Sequence, residues 1–270
     1  MRASGKTVAV TGGGNGIGRE LVLELLNRGA RVAALDISET GLHETVELAG
    51  PKRDRLSTHI VNITDREAVG ALPAAIIAAH GQIDGLINCA GIIQPFVRFN
   101  DLEYDAIERV MHVNLWGPIH TVKAFLPLLL KRPEAHVVNV SSMGGFVPVP
   151  GQTMYGATKA AVMLLTEGLH SELADTNVGV TVVFPGAIRT NISKNSGVGT
   201  LGGADRDASA SKIRMTEPDA AARMILDGME KSAYRVMVGS DAKMMDRLSR
   251  LSPLRAATII YKQMRELLPS

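Results

Sequence analysis

Residues 7–36, TVAVTGGGNGIGRELVLELLNRGARVAALD, constrain the fold more than any other stretch of the chain. A short β-branched run, residues 7–11, passes into GGGNGIG and then into RELVLELLNRG, whose apolar residues recur at helical spacing and which stops on a glycine. A second run, residues 31–35, follows and is closed by Asp36. Strand, glycine turn and helix in immediate succession is the setting that turns a glycine pattern into a phosphate site. Gly12 allows the tight turn, Gly16 lets main-chain N–H groups approach a pyrophosphate, and Gly18 lets the helix pack close to the strand. The helix N-terminus adds a field that favours the anion. Asp36 stands at the distance from these glycines where a carboxylate receives the ribose hydroxyls of adenosine. Taken singly, the turn also reads as an ordinary βα loop and Asp36 as a helix cap.

A carboxylate at Asp36 accepts from a free 2′-hydroxyl and repels a 2′-phosphate, which favours NAD over NADP. Asn15 in the turn and Ile37 after the aspartate bring no cation to hold a phosphate, and Arg19, just inside the helix, is the one base close by.

The alternation continues along the chain. A helix over residues 39–48, a strand over 56–62, a helix capped by Thr64 or Asp65 and running to 79, and a strand over 85–88 are predicted. That strand closes in Asn88, Cys89, Ala90 and Gly91, small enough for a cofactor to lie close to the backbone. A helical pair follows over 104–115 and 118–130, with Asn114 inside it where helix propensity prefers other residues. Next come a strand ending at Ser141 and Ser142, a helix carrying Tyr155 and Lys159, and a strand over 179–184 stopped by Pro185 and Gly186. Residues 187–214, rich in Gly, Ser, Asn and Asp, read as a lid over a site, with a plain surface loop as the alternative. A helix from Glu217 and Pro218 and a strand over 234–238 complete the series. Strands alternating with helices of this length give right-handed crossovers and an α/β fold whose parallel sheet is covered on both faces. No repeat or linker divides it, so one domain over residues 1–239 is expected, with 240–270 as a helical extension.

Composition narrows the function. Apolar residues make up 46% of 270 and aromatic ones 4%, a balance that suits a core of Val, Ile, Leu and Ala between sheet and helices. A net charge of +2 gives no nucleic-acid surface. One cysteine, Cys89, rules out an internal disulfide framework, no Cys/His cluster has zinc spacing, and a reducing cytoplasm fits. The N-terminus lacks the apolar region of a signal peptide, and runs such as residues 124–130 are too short to span a bilayer.

The chemistry is expected between residues 142 and 159. Tyr155 and Lys159 are four apart on a helix, so phenol and ammonium share one face. A tyrosine with its ordinary pKa of about 10 is a poor base at neutral pH, and a cation beside it lowers that value by ~1–3 units. Tyr155 then becomes a usable general acid/base. Ser142, at a strand's carboxyl end, offers its hydroxyl to a substrate oxygen where open α/β sheets place their sites. Taken alone, a Tyr and a Lys at this spacing are also ordinary surface neighbours.

In this order the residues resemble the short-chain dehydrogenase/reductase family, in the single-domain branch whose glycine motif is TGxxxGxG, here residues 11–18. The resemblance covers about residues 6–239 and rests on that motif, Asp36, NCAG in place of NNAG, Asn114 with Ser142, Tyr155 and Lys159, and Pro185-Gly186. It implies a Rossmann-like, doubly wound sheet of seven parallel strands and a catalytic tetrad of Asn114, Ser142, Tyr155 and Lys159. In such a tetrad the serine orients the substrate oxygen and the tyrosine exchanges the proton. The lysine binds the nicotinamide ribose and lowers the tyrosine pKa, and the asparagine holds a water that links the lysine to solvent. The dinucleotide contacts implied are Gly12, Asn15, Gly16, Ile17, Gly18, Asp36, Asn62, Ile63, Asn88, Ala90, Gly91, Tyr155, Lys159, Pro185, Gly186, Ile188 and Thr190, the last against the nicotinamide amide. Asn62 stands where many relatives carry an aspartate beside the adenine. Cys89 replaces an asparagine and is read as a small buried residue, a reactive thiol being the lesser alternative.

The expectation is an NAD-dependent oxidoreductase that interconverts a secondary alcohol and a ketone. Met143, Phe146, Val147, Pro148, Val149 and Met154, mostly apolar, are expected to face a lipophilic substrate such as a hydroxysteroid, a terpenoid alcohol or a hydroxyacyl lipid. The alternatives are an NADPH-dependent 3-ketoacyl-thioester reductase, against which Asp36 counts, and a nucleotide-sensing protein without turnover, against which the intact tetrad counts. The tail, two helices split at Ser252-Pro253, carries Arg247, Arg250, Arg255, Lys262 and Arg265 among apolar residues. Packing on its own or a partner subunit is expected of it, with cover for the substrate pocket or contact with a membrane surface as alternatives. A homodimer or homotetramer is expected.

Overall fold

The β-branched runs pair side by side. In the computed structural model, which describes residues 1–198, 215–265 and 268, seven strands form one sheet. They are β1 (Thr7–Thr11), β2 (Arg31–Asp36), β3 (Leu56–Ile60), β4 (Gly85–Asn88), β5 (Ala135–Val140), β6 (Val178–Pro185) and β7 (Arg235–Val238). Their order is β3-β2-β1-β4-β5-β6-β7, and every pairing is parallel. This is the doubly wound arrangement expected, and the order reverses between β1 and β4, where a crevice opens at the strands' carboxyl ends.

The helices are α1 (Gly16–Asn27), α2 (Glu39–Ala49), α3 (Arg66–His80), α4 (Tyr104–Met111), α5 (Gly117–Leu129), α6 (Thr153–Glu172), α7 (Ile192–Asn195), α8 (Pro218–Glu230), α9 (Ser240–Leu251) and α10 (Pro253–Met264). Alternation along the strands divides the core in two. Val8, Val10, Val32 and Ala34 meet Leu21, Leu25 and Leu26 of α1 and Ile225 and Leu226 of α8 on one face. Ala9, Ala33, Leu35 and Leu86 meet Val69, Leu72 and Ile76 of α3 and Val122, Phe125 and Leu129 of α5 on the other. Both faces of the strands are apolar, which is why they read as nearly continuous hydrophobic runs.

The structure departs from the sequence reading at element ends. β3 stops at Ile60 because Asn62 Oδ1 accepts from Thr64 N at 3.0 Å and Thr64 Oγ1 at 2.9 Å, which turns the chain. Asp65 then caps α3 by accepting from Glu67 N and Ala68 N, both at 3.0 Å. The expected helical pair is one continuous run through a widened turn, His112–Trp116, in which Gly117 N donates to His112 O, five residues back. A proline ring clashes with the carbonyl four residues before it, and Pro118 follows at once, so the wider turn is the local solution. Asn114 lies inside that turn.

The tail forms α9 and α10, separated at Ser252 as expected. It packs on its own chain: Met245, Ala256 and Ile260 bury Val147 in a third small core, with Met143, Phe146 and Val149 against it. Among the described residues no helix is long and apolar enough to cross a membrane.

Candidate active site

A cleft of about 1070 Å³ runs along the carboxyl ends of the central strands and brings together most of the residues singled out in the sequence. Gly12, Asn15, Gly16, Ile17, Gly18, Asp36, Asn62 and Ile63 line one half; Ala90, Gly91, Ser142, Tyr155, Lys159, Pro185, Gly186, Ile188 and Thr190 line the other.

In the first half the glycine turn is braced from below. Asn15 caps α1, its Oδ1 accepting from Gly16 N at 2.6 Å. A Cβ at Gly18 would lie 2.0 Å from the Gly12 carbonyl oxygen, so only glycine lets α1 start this close to β1. Gly14 N donates to Asp36 Oδ2 and Ser38 N to Asp36 Oδ1, both at 2.9 Å. Ser38, not Asp36, caps α2, by accepting from Gly41 N at 3.0 Å. Each Asp36 oxygen keeps a free lone-pair direction for a donor in the cleft. Arg19 is turned the other way: it donates to Thr45 Oγ1 at 3.1 Å and to the Gly14 and Gly41 carbonyls, and pairs with Glu44. Asn62 commits its Oδ1 to Thr64 and keeps its NH₂ for the cleft.

Thr11, inside the glycine motif but given no role of its own in the sequence, joins the two halves. Its Oγ1 accepts from Cys89 N at 3.0 Å and Ala90 N at 3.1 Å, which sets the backbone leaving β4. Cys89 lines the cleft, and burial pushes its thiol up to about 12, which makes it an inert packing residue at neutral pH. Asn88 does not line the cleft. It lies in register with Asn139 across the sheet, donates to Asn139 Oδ1 at 2.9 Å and accepts from Thr121 Oγ1 at 2.7 Å, a buried polar bracket between β4, β5 and α5.

In the second half, Ser142 follows β5 and its Oγ accepts from Gly144 N at 3.0 Å, which fixes the hydroxyl against the turn. Gly145 lets that turn touch α6, since a Cβ there would come 2.9 Å from the Lys159 carbonyl carbon. Lys159 is 5% exposed, donates to the Val140 carbonyl at 3.0 Å and holds its ammonium 5.9 Å from the centre of the Tyr155 ring. Burial pulls Lys159 down to about 8. Burial also raises Tyr155, and only the nearby Ser142 hydroxyl pulls the other way. Desolvation of the phenolate dominates at Tyr155, so the phenol is raised rather than lowered as expected, and Lys159, which donates to Val140 O, does not offset it. Asn114, fully buried, clamps the strap after β4, accepting from Ile92 N at 2.9 Å and donating to Ile92 O at 2.8 Å.

Met143, Phe146 and Val149, expected to face substrate, do not line the cleft. They pack toward α9 and α10, a pairing that sequence periodicity has no means to show because it joins elements a hundred residues apart. The apolar cleft lining comes instead from Ile92, Ile93, Ile188 and Ile192.

The segment after β6 is tied at both ends. Asp241 at the start of α9 accepts from Ala187 N at 2.7 Å, and Ile188 bridges Thr216. Ser196 accepts from Ile93 N at 2.9 Å while its carbonyl accepts from Arg109 at 2.8 Å, so α7 sits over the cleft with Ile192 and Asn195 facing in. Of residues 187–214, read from the sequence as a lid, residues 187–198 border the cleft in this way and residues 199–214 lie outside the described residues. Asp241, Arg109, Ser196 and Gln94 are isolated polar residues in the sequence and carry no local signal.

The braced glycine turn, the acidic residue ending β2 and a Ser, Tyr and Lys converging on one cleft define a dinucleotide-dependent oxidoreductase site on a doubly wound sheet. The sequence model of the short chain dehydrogenase family matches residues 6–199, and the chain belongs to that family. An oxidoreductase-named protein of Mycobacterium tuberculosis, SadH, is 37% identical over 253 residues, covering 92% of this chain and 91% of its own. A Thermotoga maritima 3-oxoacyl-acyl-carrier-protein reductase, FabG, is 34% identical over 231 residues, 84% of this chain and 91% of its own. A short chain dehydrogenase of Burkholderia cenocepacia, solved in complex with NADP, superposes with a TM-score of 0.79 at 27% identity over 96% of this chain and 99% of that one. The chain is an oxidoreductase of the short-chain type that uses a nicotinamide dinucleotide.

Proposed function

We propose that this protein is an NAD-dependent oxidoreductase that interconverts a lipophilic secondary alcohol and its ketone. The observation that carries this reading is one cleft with the Asp36 carboxylate at one end and Ser142, Tyr155 and Lys159 at the other. The glycine turn fits a dinucleotide: Gly12 and Gly16 hold positive φ of 74° and 52°, and the first-turn N–H groups of α1 face an incoming pyrophosphate.

Asp36 selects NAD. Its two oxygens accept main-chain N–H groups and offer their remaining lone pairs to two ribose hydroxyls, while a 2′-phosphate there meets like charge. Arg19, the base that a phosphate would recruit, is tied to Thr45, Gly14, Gly41 and Glu44.

Bound NAD supplies the hydride acceptor. Ser142 hydrogen-bonds the substrate oxygen and Tyr155, as phenolate, takes the hydroxyl proton; in the reverse direction the Tyr155 phenol returns it to the ketone oxygen. Lys159 offers its ammonium to the nicotinamide ribose, and Asn114 fixes the strap beneath both. Thr190 and Ile188 are the residues that would border the nicotinamide, and Pro185 and Gly186 line the same cleft. The isoleucine lining at Ile92, Ile93 and Ile192 suits an apolar substrate. Leu164 and Trp116, 68% and 46% exposed, suit cover by a second copy in a homodimer or homotetramer, and a lone inert thiol suits the cytoplasm.

The test is nicotinamide fluorescence titration with NADH and NADPH, followed by a panel of cyclohexanol, a long-chain 2-alkanol and a 3-hydroxysteroid with the preferred cofactor. Preference for NADH and turnover of the apolar alcohols is expected. Preference for NADPH together with reduction of a 3-ketoacyl thioester overturns it in favour of a ketoacyl reductase, and cofactor binding with no turnover of any kind points to a nucleotide sensor.

A further inference from the structure

Helix α6 begins without a local cap. Gln152 occupies the N-cap position and makes no capping bond with its side chain, although the first N–H groups of a helix need acceptors. The acceptor comes from the strap after β4: Gln94 Oε1 accepts from Met154 N at 2.8 Å and from Tyr155 N at 3.0 Å. Gln94 is 0% exposed, and its other groups are equally engaged. Its Nε2 donates to Gly151 O at 3.1 Å, and its carbonyl accepts from Gln152 Nε2 at 2.7 Å. Tyr155 is the third residue of α6, so the backbone that Gln94 holds is the one that aims the phenol.

The strap that delivers Gln94 touches the rest of the site residue by residue. Gly91 lies under the tetrad, where a Cβ would come 3.2 Å from Lys159 Nζ and 3.3 Å from Asn114 Oδ1. Ile92 is held at both its N–H and its carbonyl by Asn114. Ile93 N donates to Ser196 Oγ in the segment that closes the cleft. Gln94 comes next and grips the Tyr155 turn. Four consecutive residues therefore connect the lysine, the asparagine, the closing segment and the tyrosine.

Resting on the catalytic reading above, we propose that Gln94 is a positioning residue for Tyr155, holding the first turn of α6 in register with Ser142 and Lys159 and coupling that turn to the closing segment. It does not line the cleft and acts only through the tyrosine it anchors.

The full-length variants Gln94→Ala, Gln94→Glu and Tyr155→Phe test this. The readouts are NADH binding by fluorescence, kcat and KM on the best alcohol of the panel, and ultraviolet titration of the Tyr155 phenol in the NAD complex, with Tyr155→Phe as the blank. Gln94→Ala is expected to bind NADH within about twofold of wild type, to lose kcat by roughly 10- to 100-fold at little change in KM, and to shift the phenol titration. Gln94→Glu, whose buried carboxyl in its neutral form keeps both the acceptor for the two N–H groups and a donor to Gly151 O, is expected to recover most of kcat at pH values where that carboxyl is protonated. Wild-type kcat and phenol titration in Gln94→Ala overturn the assignment, as does a loss of kcat that only tracks the folded fraction. If Gln94→Ala does not fold, Gln94→Asn, one methylene shorter, withdraws the acceptor while keeping the amide; an unchanged phenol titration in it overturns the assignment equally. Activity surviving Tyr155→Phe is a separate outcome that removes the catalytic reading itself.

Discussion

Gly14 N donates to Asp36 Oδ2 at 2.9 Å, so the glycine turn after β1 and the carboxylate ending β2 are one unit. The carboxylate is thereby aimed before a ribose arrives. Hydrogen bonds to a charged group contribute about 1.5–3 kcal/mol each, so Asp36→Ala is expected to weaken NADH by about tenfold or more while NADPH, relieved of repulsion, loses little. Parallel fluorescence titrations of both cofactors check this. Equal losses for the two would mean that Asp36 serves only to brace the turn.

Tyr155→Phe is expected to lower turnover by at least about 10³-fold with NADH affinity nearly unchanged, since it removes the proton acceptor and, of the many expected dinucleotide contacts, only the one from the Tyr155 hydroxyl. In the wild type the rate of alcohol oxidation is expected to rise with pH, because the phenol of Tyr155 is raised by burial and the base form is the reactive one. Ketone reduction is expected to fall over the same range. Initial rates in both directions against pH decide it.

Lys159 gives the cofactor-free protein its own pH signature. Its folded pKa of about 8 lies below the ordinary 10.5, so between these values the unfolded chain binds the extra proton and stability rises with pH. Two and a half units correspond to roughly 3 kcal/mol gained across that window and absent below it. The raised pKa of Tyr155 acts in the opposite sense only above its ordinary value of 10.0. Denaturant unfolding of wild type against Lys159→Met, from pH 7.5 to 10, is therefore expected to show a rise in the wild type that the variant lacks.

The parts of the site legible in the sequence are those whose meaning is local. The glycines of the β1–α1 turn, Asp36 at the next strand end, and Tyr155 with Lys159 one helical turn apart each declare a geometry through spacing alone. Asn114 is different: its poor helix propensity marked it as out of place, but only the family resemblance gave it a role, because its function rests on the widened turn before Pro118 and on the Ile92 backbone 22 residues away. Gln94, Asp241 and Arg109 act on partners 60, 54 and 87 residues distant, and a lone polar residue in a sequence does not say which backbone it will meet. The same limit explains Met143, Phe146 and Val149: their apolar character was plain, but whether it faced a substrate or the tail depended on where α9 and α10 fold back.

That fold-back makes the tail a determinant of the active-site loop. Ile260 on α10 is 4% exposed and shares a small core with Val147, five residues after Ser142 and eight before Tyr155. Truncating it leaves a cavity under that loop, at a cost of about 2–4 kcal/mol. The glycine turn and Asp36 lie at the other end of the cleft and share no contact with this cluster. Ile260→Ala is therefore expected to lower stability in urea unfolding and to raise KM for the alcohol or lower kcat, with NADH affinity unchanged. If NADH affinity fell along with stability, the cluster would be holding the whole sheet edge rather than the loop between Ser142 and Tyr155. If stability alone fell, the loop would be keeping its shape without the tail, and α9 would matter only through the bond from Ala187 N to Asp241.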